Sequence, residues 1–316
     1  MKKIAFIFPG QGSQYAGMGK DIYESIPYVR ELFAKAENIL HRNIRDIMFN
    51  GPEYLLRQTE HTQPALYVVS CALYEMLKNK GILPFITAGH SLGEYSALYA
   101  SGAFSFEQGL SLVELRGKLI QKSCEENPGS MAALIGLSRE QIGSVCAESS
   151  AEAVNFNCPG QVVIAGSFDA VEQAEKSAKE RGVLKTIRLN VSGPFHSSYM
   201  HRAAVEMKKH LQDAALNDLT IPVISNIDAQ QTERAAEIID KLSAQIDHPV
   251  MWEESILTMG AMGAEIFIEV GPGRVLTGLN RRINRKLNSF SVENIETFNQ
   301  CIEKLSMNVN FREGGS

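Results

Sequence analysis

The sequence predicts an α/β protein in two parts: a large domain around a parallel sheet, and a small ferredoxin-like subdomain inserted into it. Three observations carry this expectation. Short apolar, β-branched runs alternate with helical patterns from residue 4 to residue 124, the rhythm of a parallel sheet with helical crossovers. From residue 130 the units shorten and follow the order β-α-β-β-α-β, the split βαβ pattern. Beyond residue 195 or so the longer units return. The domain plan is therefore 1–127 with 194–309 for the large domain, 128–193 for the small subdomain, and a flexible polar tail at 310–316, "NFREGGS".

The elements follow in order. A strand is expected at 4–8, helices around 21–39 and 62–79, a strand at 85–89, and helices at 93–101 and 106–124. "SMAALIGL" (130–137) reads as a strand, and "SREQIGSVCAES" (138–149) as a helix opened by Ser138 with Gln141 three residues on. "EAVNFN" and "QVVIAG" are two short strands separated by the turn Cys158-Pro159-Gly160. A helix at 169–181 and a strand at 183–191 complete the small unit. Then come helix 197–215, strand 221–226, helices 232–246 and 253–263, strand 265–270 and helix 274–287. A cleft between two such units is a common place for a substrate.

Composition narrows the function classes. With 44% hydrophobic and 21% charged residues the chain reads as an ordinary soluble globular protein. A formal net charge of −5 argues against nucleic-acid binding, which favours a basic surplus. No apolar run reaches the ~18 residues of a membrane span. The N-terminus enters a strand without the pattern of a secretory signal, so the expected location is cytoplasmic. The 5 cysteines are scattered with no C-x-x-C pair, and the 7 histidines show no ligand spacing, so no metal site is expected.

The first strand runs into Phe8-Pro9-Gly10-Gln11-Gly12-Ser13-Gln14, a glycine turn of the kind that holds phosphates. Both phosphate motifs fail on named residues. Tyr15 stands where a dinucleotide fingerprint requires its third glycine, and Met18-Gly19 follow Gly17 where a P-loop requires Lys and Ser/Thr. A plain structural turn and an oxyanion-binding loop both stay open.

Gly89-His90-Ser91-Leu92-Gly93 supplies a nucleophile. It is G-x-S-x-G with a strand before and a helix after, the context of a nucleophile elbow that pushes the serine Oγ outward. That unit makes the large domain α/β-hydrolase-like. The helix beginning at Leu92 aims free N–H groups at the serine, so the Leu92 N–H is one natural oxyanion donor. His90 is next to the nucleophile on a tight turn and should point away from it. The rival reading is a structural glycine turn.

A serine needs a general base. His41, His61, His201, His210 and His248 sit in polar helical surroundings, whereas His196 follows a strand and a Gly-Pro turn just before a helix. Strand ends gather catalytic residues in open α/β sheets, and a helix N-terminus keeps imidazole neutral. His196 is the favoured base, His201 the runner-up, and a half-buried turn histidine the bland alternative. No Asp stands out as a third member, which leaves a Ser-His dyad as an option.

Arg116 is out of place. It falls within the apolar stripe Leu112, Val113, Leu115, Leu119, Ile120 of helix 106–124. A buried guanidinium needs a partner, either an internal carboxylate, the commoner case, or an anionic substrate. The second reading implies an acyl group that itself ends in a carboxylate.

At this point the chain resembles the malonyl-CoA:acyl carrier protein transacylases and the related acyltransferase domains of polyketide synthases, over nearly its whole length. "FPGQGSQYAGMG", "TEHTQPALYVVSCALYE", "GHSLGEYSAL", "VELRGKLIQ", "VNFNCPGQVVIAG", "GPFHSSYM", "QIDHPVMW" and "EVGPGRVLTGL" look like the family's motifs in order. The resemblance implies Ser91 as the acylated residue and His196 as its base. It implies backbone N–H groups of Gln11 and Leu92 as the oxyanion hole and Arg116 as the grip on the malonyl carboxylate. Gln245 would orient His196 through its carbonyl, and Gln63 and Phe195 would line the pocket. Phe195 matches malonyl-selective polyketide acyltransferases, where the branched-substrate type tends to carry serine.

The activity so implied is ping-pong transfer of malonyl from malonyl-CoA to the phosphopantetheine thiol of a holo acyl carrier protein, with no cofactor, no nucleic acid and no membrane. A monomer is the simplest expectation, and the carrier protein fits fatty-acid or polyketide synthesis alike. An acyl hydrolase that clears stalled chains is the first rival, and relatives of that kind tend to lack the arginine. A non-catalytic docking subunit is the second. Lys185, Arg188, Arg281, Arg282 and Arg285 are generic candidates for carrier-protein docking.

Overall fold

Ten strands organise the described residues: β1 Ile4–Phe8, β2 Ile86–Gly89, β3 Ser130–Ile135, β4 Glu152–Cys158, β5 Gln161–Gly166, β6 Lys185–Arg188, β7 Val223–Ile224, β8 Gln231–Thr232, β9 Ile266–Val270 and β10 Asn288–Val292. The structure is a computed structural model describing residues 2–310, with side chains as far as 306. The tail expected at 310–316 lies outside the described residues except for Asn310, which ends the last helix.

A six-stranded sheet runs in the order β10-β9-β1-β2-β7-β8, parallel throughout except for the antiparallel β7–β8 pair. β1 and β2 lie at its centre and are apolar because both faces are covered. Successive side chains alternate between faces. Phe6 and Phe8 join the core under helix Thr59–Lys78, while Ala5 and Ile7 meet Trp252, Ile256 and Phe267 on the other side.

The second sheet is antiparallel, in the order β4-β5-β3-β6. Helices Arg139–Ser149 and Phe168–Glu180 cover one face, meeting Ala132, Leu134, Val162 and Ile164 through Ile142, Val145, Val171 and Ala174. Its opposite face carries Met131, Ala133 and Val163 beside Leu189 and Phe195. The two sheets are tied by backbone. Phe156 N–H donates to Val250 O and Val250 N–H to Val154 O, both at 2.9 Å.

Several expected elements need correction. The helix at 21–39 is two, Lys20–Ser25 and Pro27–Leu40, because Pro27 takes the first position of a new helix. The helix at 62–79 starts at Thr59 and runs through Pro64. Pro64 leaves the Glu60 carbonyl without its amide, and Arg42 Nη2 donates to it at 2.9 Å. Strands 183–191 and 221–226 shrink to β6 and β7, and helix 232–246 is Ala235–Ala244, its expected first residue Thr232 belonging to β8. Helix 197–215 opens with a 3₁₀ turn at Ser198–Met200, and helix 274–287 is Val275–Ile283. Short helices Ile44–Asn50 and Glu53–Leu56, strand β10 and helix Ile295–Asn310 were not expected. β10 reads "NSFSV", an edge strand with too few apolar residues to stand out. Among the described residues no helix is long and apolar enough to cross a membrane.

Candidate active site

The C-terminal ends of β1, β2 and β7 converge, as the crevice rule for open α/β sheets requires. They deliver the Gln11 loop, Ser91 and Asn226 to one place. Ser91 turns the chain sharply with φ 51°, a left-handed value that non-glycine residues rarely adopt. The glycines around it are demanded by packing. A Cβ on Gly89 would collide with Gly93, and one on Gly93 would collide with the Phe8 carbonyl. One on Gly10 would collide with the His90 carbonyl. The elbow and the glycine loop are therefore in backbone contact.

Asn226 holds the elbow in that shape. Its Oδ1 accepts from Ser91 N–H at 2.7 Å and its Nδ2 donates to Gly89 O at 2.6 Å. Nothing in the sequence marked Asn226, because its role depends on β7 lying beside β2. His90 does point away: its Nε2 pairs with Asn157 Oδ1 at 2.9 Å, and its ring packs on Trp252.

His196 Nε2 lies 2.8 Å from Ser91 Oγ, and its Nδ1 lies 2.7 Å from the Gln245 carbonyl oxygen. The carbonyl accepts only, so Nδ1 carries the proton and Nε2 is left free to take one from the serine. His196 also has a positive φ, 61°. Burial first, and the nearby Arg116 charge second, push its pKa down to about 3, so the imidazole is neutral. Among the described residues no carboxylate backs this histidine, whose Nδ1 is held by a backbone carbonyl instead. His201 faces solvent and pairs with Asp247 at 2.8 Å, away from Ser91.

Arg116 is buried, with only 1% of its surface exposed. Its Nη1 donates to Gln63 Oε1 at 2.7 Å, and its Nη2 donates to Gln245 Oε1 at 2.8 Å and to Ser91 Oγ at 3.2 Å. Its Nε has no partner, and the guanidinium lies 5.6 Å from the Tyr95 ring centre. Among the described residues no Asp or Glu forms an ion pair with it. The commoner expectation, an internal salt bridge, therefore gives way to neutral amides. Burial lowers its pKa, and Glu94 and Tyr95 act against that.

No hydrogen bond from the Gln11 or Leu92 N–H is formed among the described residues. Behind the Gln11 loop, a Cβ on Gly271 would stand 2.6 Å from Pro9 Cγ, so the "EVGPGR" turn is the loop's backing. A cleft between the two sheets reaches this loop, lined by Gln11, His90, Asn155, Asn157, Val163 and Leu276. Phe195 is half-buried where the large core meets the small sheet.

A buried dyad beside a glycine loop and a lone guanidinium is an acyl-transfer arrangement, and comparison with known proteins agrees. The acyl transferase domain model matches residues 5–299. The chain belongs to the acyl transferase domain family. It is 43% identical over 310 residues to the malonyl CoA-acyl carrier protein transacylase of Bacillus subtilis (strain 168), covering 96% of this chain and 98% of that protein. Among solved structures, an acyl carrier protein S-malonyltransferase from Vibrio cholerae superposes with a TM-score of 0.92 at 42% identity, covering 95% of this chain and 100% of the other. A malonyl-transacylase in complex with its type II PKS acyl-carrier protein superposes with a TM-score of 0.93 at 39% identity, over 96% of this chain and 100% of that one.

Proposed function

We propose that this acyltransferase moves a malonyl group from malonyl-CoA to the phosphopantetheine thiol of an acyl carrier protein through an acyl-Ser91 intermediate. The observation that carries the reading is the buried Arg116, held by amides, without an internal carboxylate, and in contact with the nucleophile.

Neutral His196 takes the Ser91 proton at Nε2 while Oγ attacks the thioester carbonyl. The N–H groups of Gln11 and Leu92 receive the oxyanion. His196 returns the proton to the departing CoA sulfur, and the carrier thiol repeats the sequence on the serine ester. Arg116 takes the free carboxylate of the acyl group, which fixes the carbonyl against Ser91. That carboxylate also offsets the Arg116 charge, which after burial is the second cause of the low His196 pKa, so an acyl group ending in a carboxylate strengthens its own base. Gln63 and Gln245 orient the guanidinium, and Phe195 walls the pocket against an α-branch.

Thioester, oxyester and thioester are close in energy, so the cycle consumes no cofactor. We assign 128–193 to a subdomain whose cleft face guides the thioester arm, and place the enzyme in the cytoplasm as a monomer. Of the five basic residues considered for carrier docking, Arg188 is engaged by Glu175 and Arg282 by Gln161. Lys185, Arg281 and Arg285 are the proposed contacts.

The test is incubation with acyl-labelled malonyl-CoA, with and without holo carrier protein, followed by mass mapping of Ser91. A stable adduct that moves to the carrier supports the transferase. Rapid release of free malonate makes it a hydrolase, and no adduct overturns both.

A further inference from the structure

Glu94 lies in the helix that follows the nucleophile and is 3% exposed, yet no cation among the described residues forms an ion pair with it. Its Oε2 accepts from Gln245 Nε2 at 2.8 Å and from the Asn226 N–H at 3.3 Å. Each of these partners reaches the reacting groups. Gln245 Nε2 also donates to the Ser91 carbonyl at 2.8 Å, its Oε1 receives Arg116, and its own carbonyl receives His196. Asn226 brackets the elbow through Ser91 N–H and Gly89 O.

The Gln245 amide can present either end to Arg116, and only one works. With Nε2 bound to Glu94, Oε1 faces the guanidinium and accepts from it. Flipped, the amide would set Nε2 against the Nη2 donor and Oε1 against the Ser91 carbonyl and the Glu94 carboxylate. The acceptor at position 94 adds to the Arg116 donor and the Ser91 carbonyl in holding that orientation.

We propose that Glu94 is a positioning residue that locks the Gln245 amide, and through it the arginine that selects a carboxylate-bearing acyl group. The inference rests on the reading of Arg116 as that grip. The chain carboxylate–amide–guanidinium runs from buried Glu94 through Gln245 to Arg116, whose Nη2 reaches Ser91 Oγ. Burial raises Glu94 to about 7, so desolvation outweighs the opposing pull of Gln245, Asn226, Ser225 and Arg116.

The experiment compares kcat/KM for malonyl-CoA and acetyl-CoA in wild type, Glu94→Leu, Glu94→Ala, Glu94→Gln and Arg116→Ala, each checked for folding by its melting curve. Removing the acceptor in Glu94→Leu should lower the malonyl-over-acetyl preference about tenfold or more, the scale of one charged hydrogen bond. Glu94→Ala, which leaves room for water and folds more readily, should show the same direction. Glu94→Gln keeps an oxygen for Gln245 and should restore the preference to within about threefold of wild type. A folded Leu or Ala variant with reduced rate but an unchanged preference would make Glu94 a stability residue only and overturn the proposal. Arg116→Ala separates the two readings. If it abolishes the preference while the Glu94 variants do not alter it, only the Glu94 proposal fails. If Arg116→Ala itself keeps the preference, the grip assignment fails and the Glu94 proposal goes with it.

Discussion

In the proposed reaction, the two ends of this site hold negative charge by opposite means. At the reacting end the donors are backbone amides, Gln11 and Leu92, fixed by glycines that let two turns touch. At the recognition end the donor is a side chain, Arg116, fixed by two glutamine amides. A charge that lasts only through a transition state is met by dipoles already in place, whereas a permanent carboxylate is met by a permanent cation. The difference teaches where each end is vulnerable: the first to backbone changes, the second to side-chain changes.

That contrast can be broken most directly at the serine. Ser91→Ala should remove the malonyl adduct and lower transfer by about 10³-fold or more, read by mass mapping and steady-state rate. His196→Ala should cost about 10²–10⁴-fold in the rate of Ser91 acylation. Transfer in that variant within threefold of wild type would give the base to another group.

The backbone claim is sharpened at Gln11. Gln11→Pro deletes the N–H and should lower kcat by about 10²–10³-fold. Gln11→Ala keeps it, losing only the Nε2 bond to Thr59 Oγ1 at 3.3 Å, and should stay within about tenfold. Equal losses in the two variants would assign the role to the side chain instead.

At the recognition end, Arg116→Ala should cost about 10²-fold in malonyl kcat/KM with much less effect on acetyl. A stopped-flow acylation series with both substrates reads this directly.

The smallest effect concerns pH and stability. Glu94 sits at about 7 in the fold against 4.5 normally, so the folded state binds more protons between those values. Its contribution is fully present below 4.5 and is lost as pH rises through 7. Glu94→Gln lacks this loss, so its melting temperature relative to wild type should rise between pH 5 and pH 8 in calorimetry. His196 runs the other way. With its pKa depressed to about 3, the unfolded state binds the extra proton, and stability falls as pH drops from 6.5 toward 3.

How much of this was legible depended on whether a residue's role is local. Ser91 announced itself because the elbow is made within five residues and its glycines are required by contacts that any such turn makes. The capping boxes at Ser105/Gln108 and Ser138/Gln141 are local in the same sense, and the second was readable as such. Arg116 was detectable as a charge inside an apolar stripe, but the stripe could not say whether a carboxylate waited opposite it. Asn226 and Glu94 gave no signal. One is a polar residue after a two-residue strand and the other a glutamate early in a helix, where acidic residues are ordinary.

The sequence by itself determined the strand–elbow–helix, the glycine loop after β1, the order of the small antiparallel sheet's elements and the candidate nucleophile at the elbow. Each of these follows from spacing along the chain and from periodicities of two or 3.6 residues. Only the tertiary structure decided that Arg116 faces amides rather than a carboxylate, that His196 is completed by a carbonyl 49 residues away, and that Glu94, Gln245 and Asn226 form one network. Those facts depend on which buried polar groups are left to satisfy one another when the strand ends meet. That pairing is set by packing, where a single misplaced donor or acceptor would be costly.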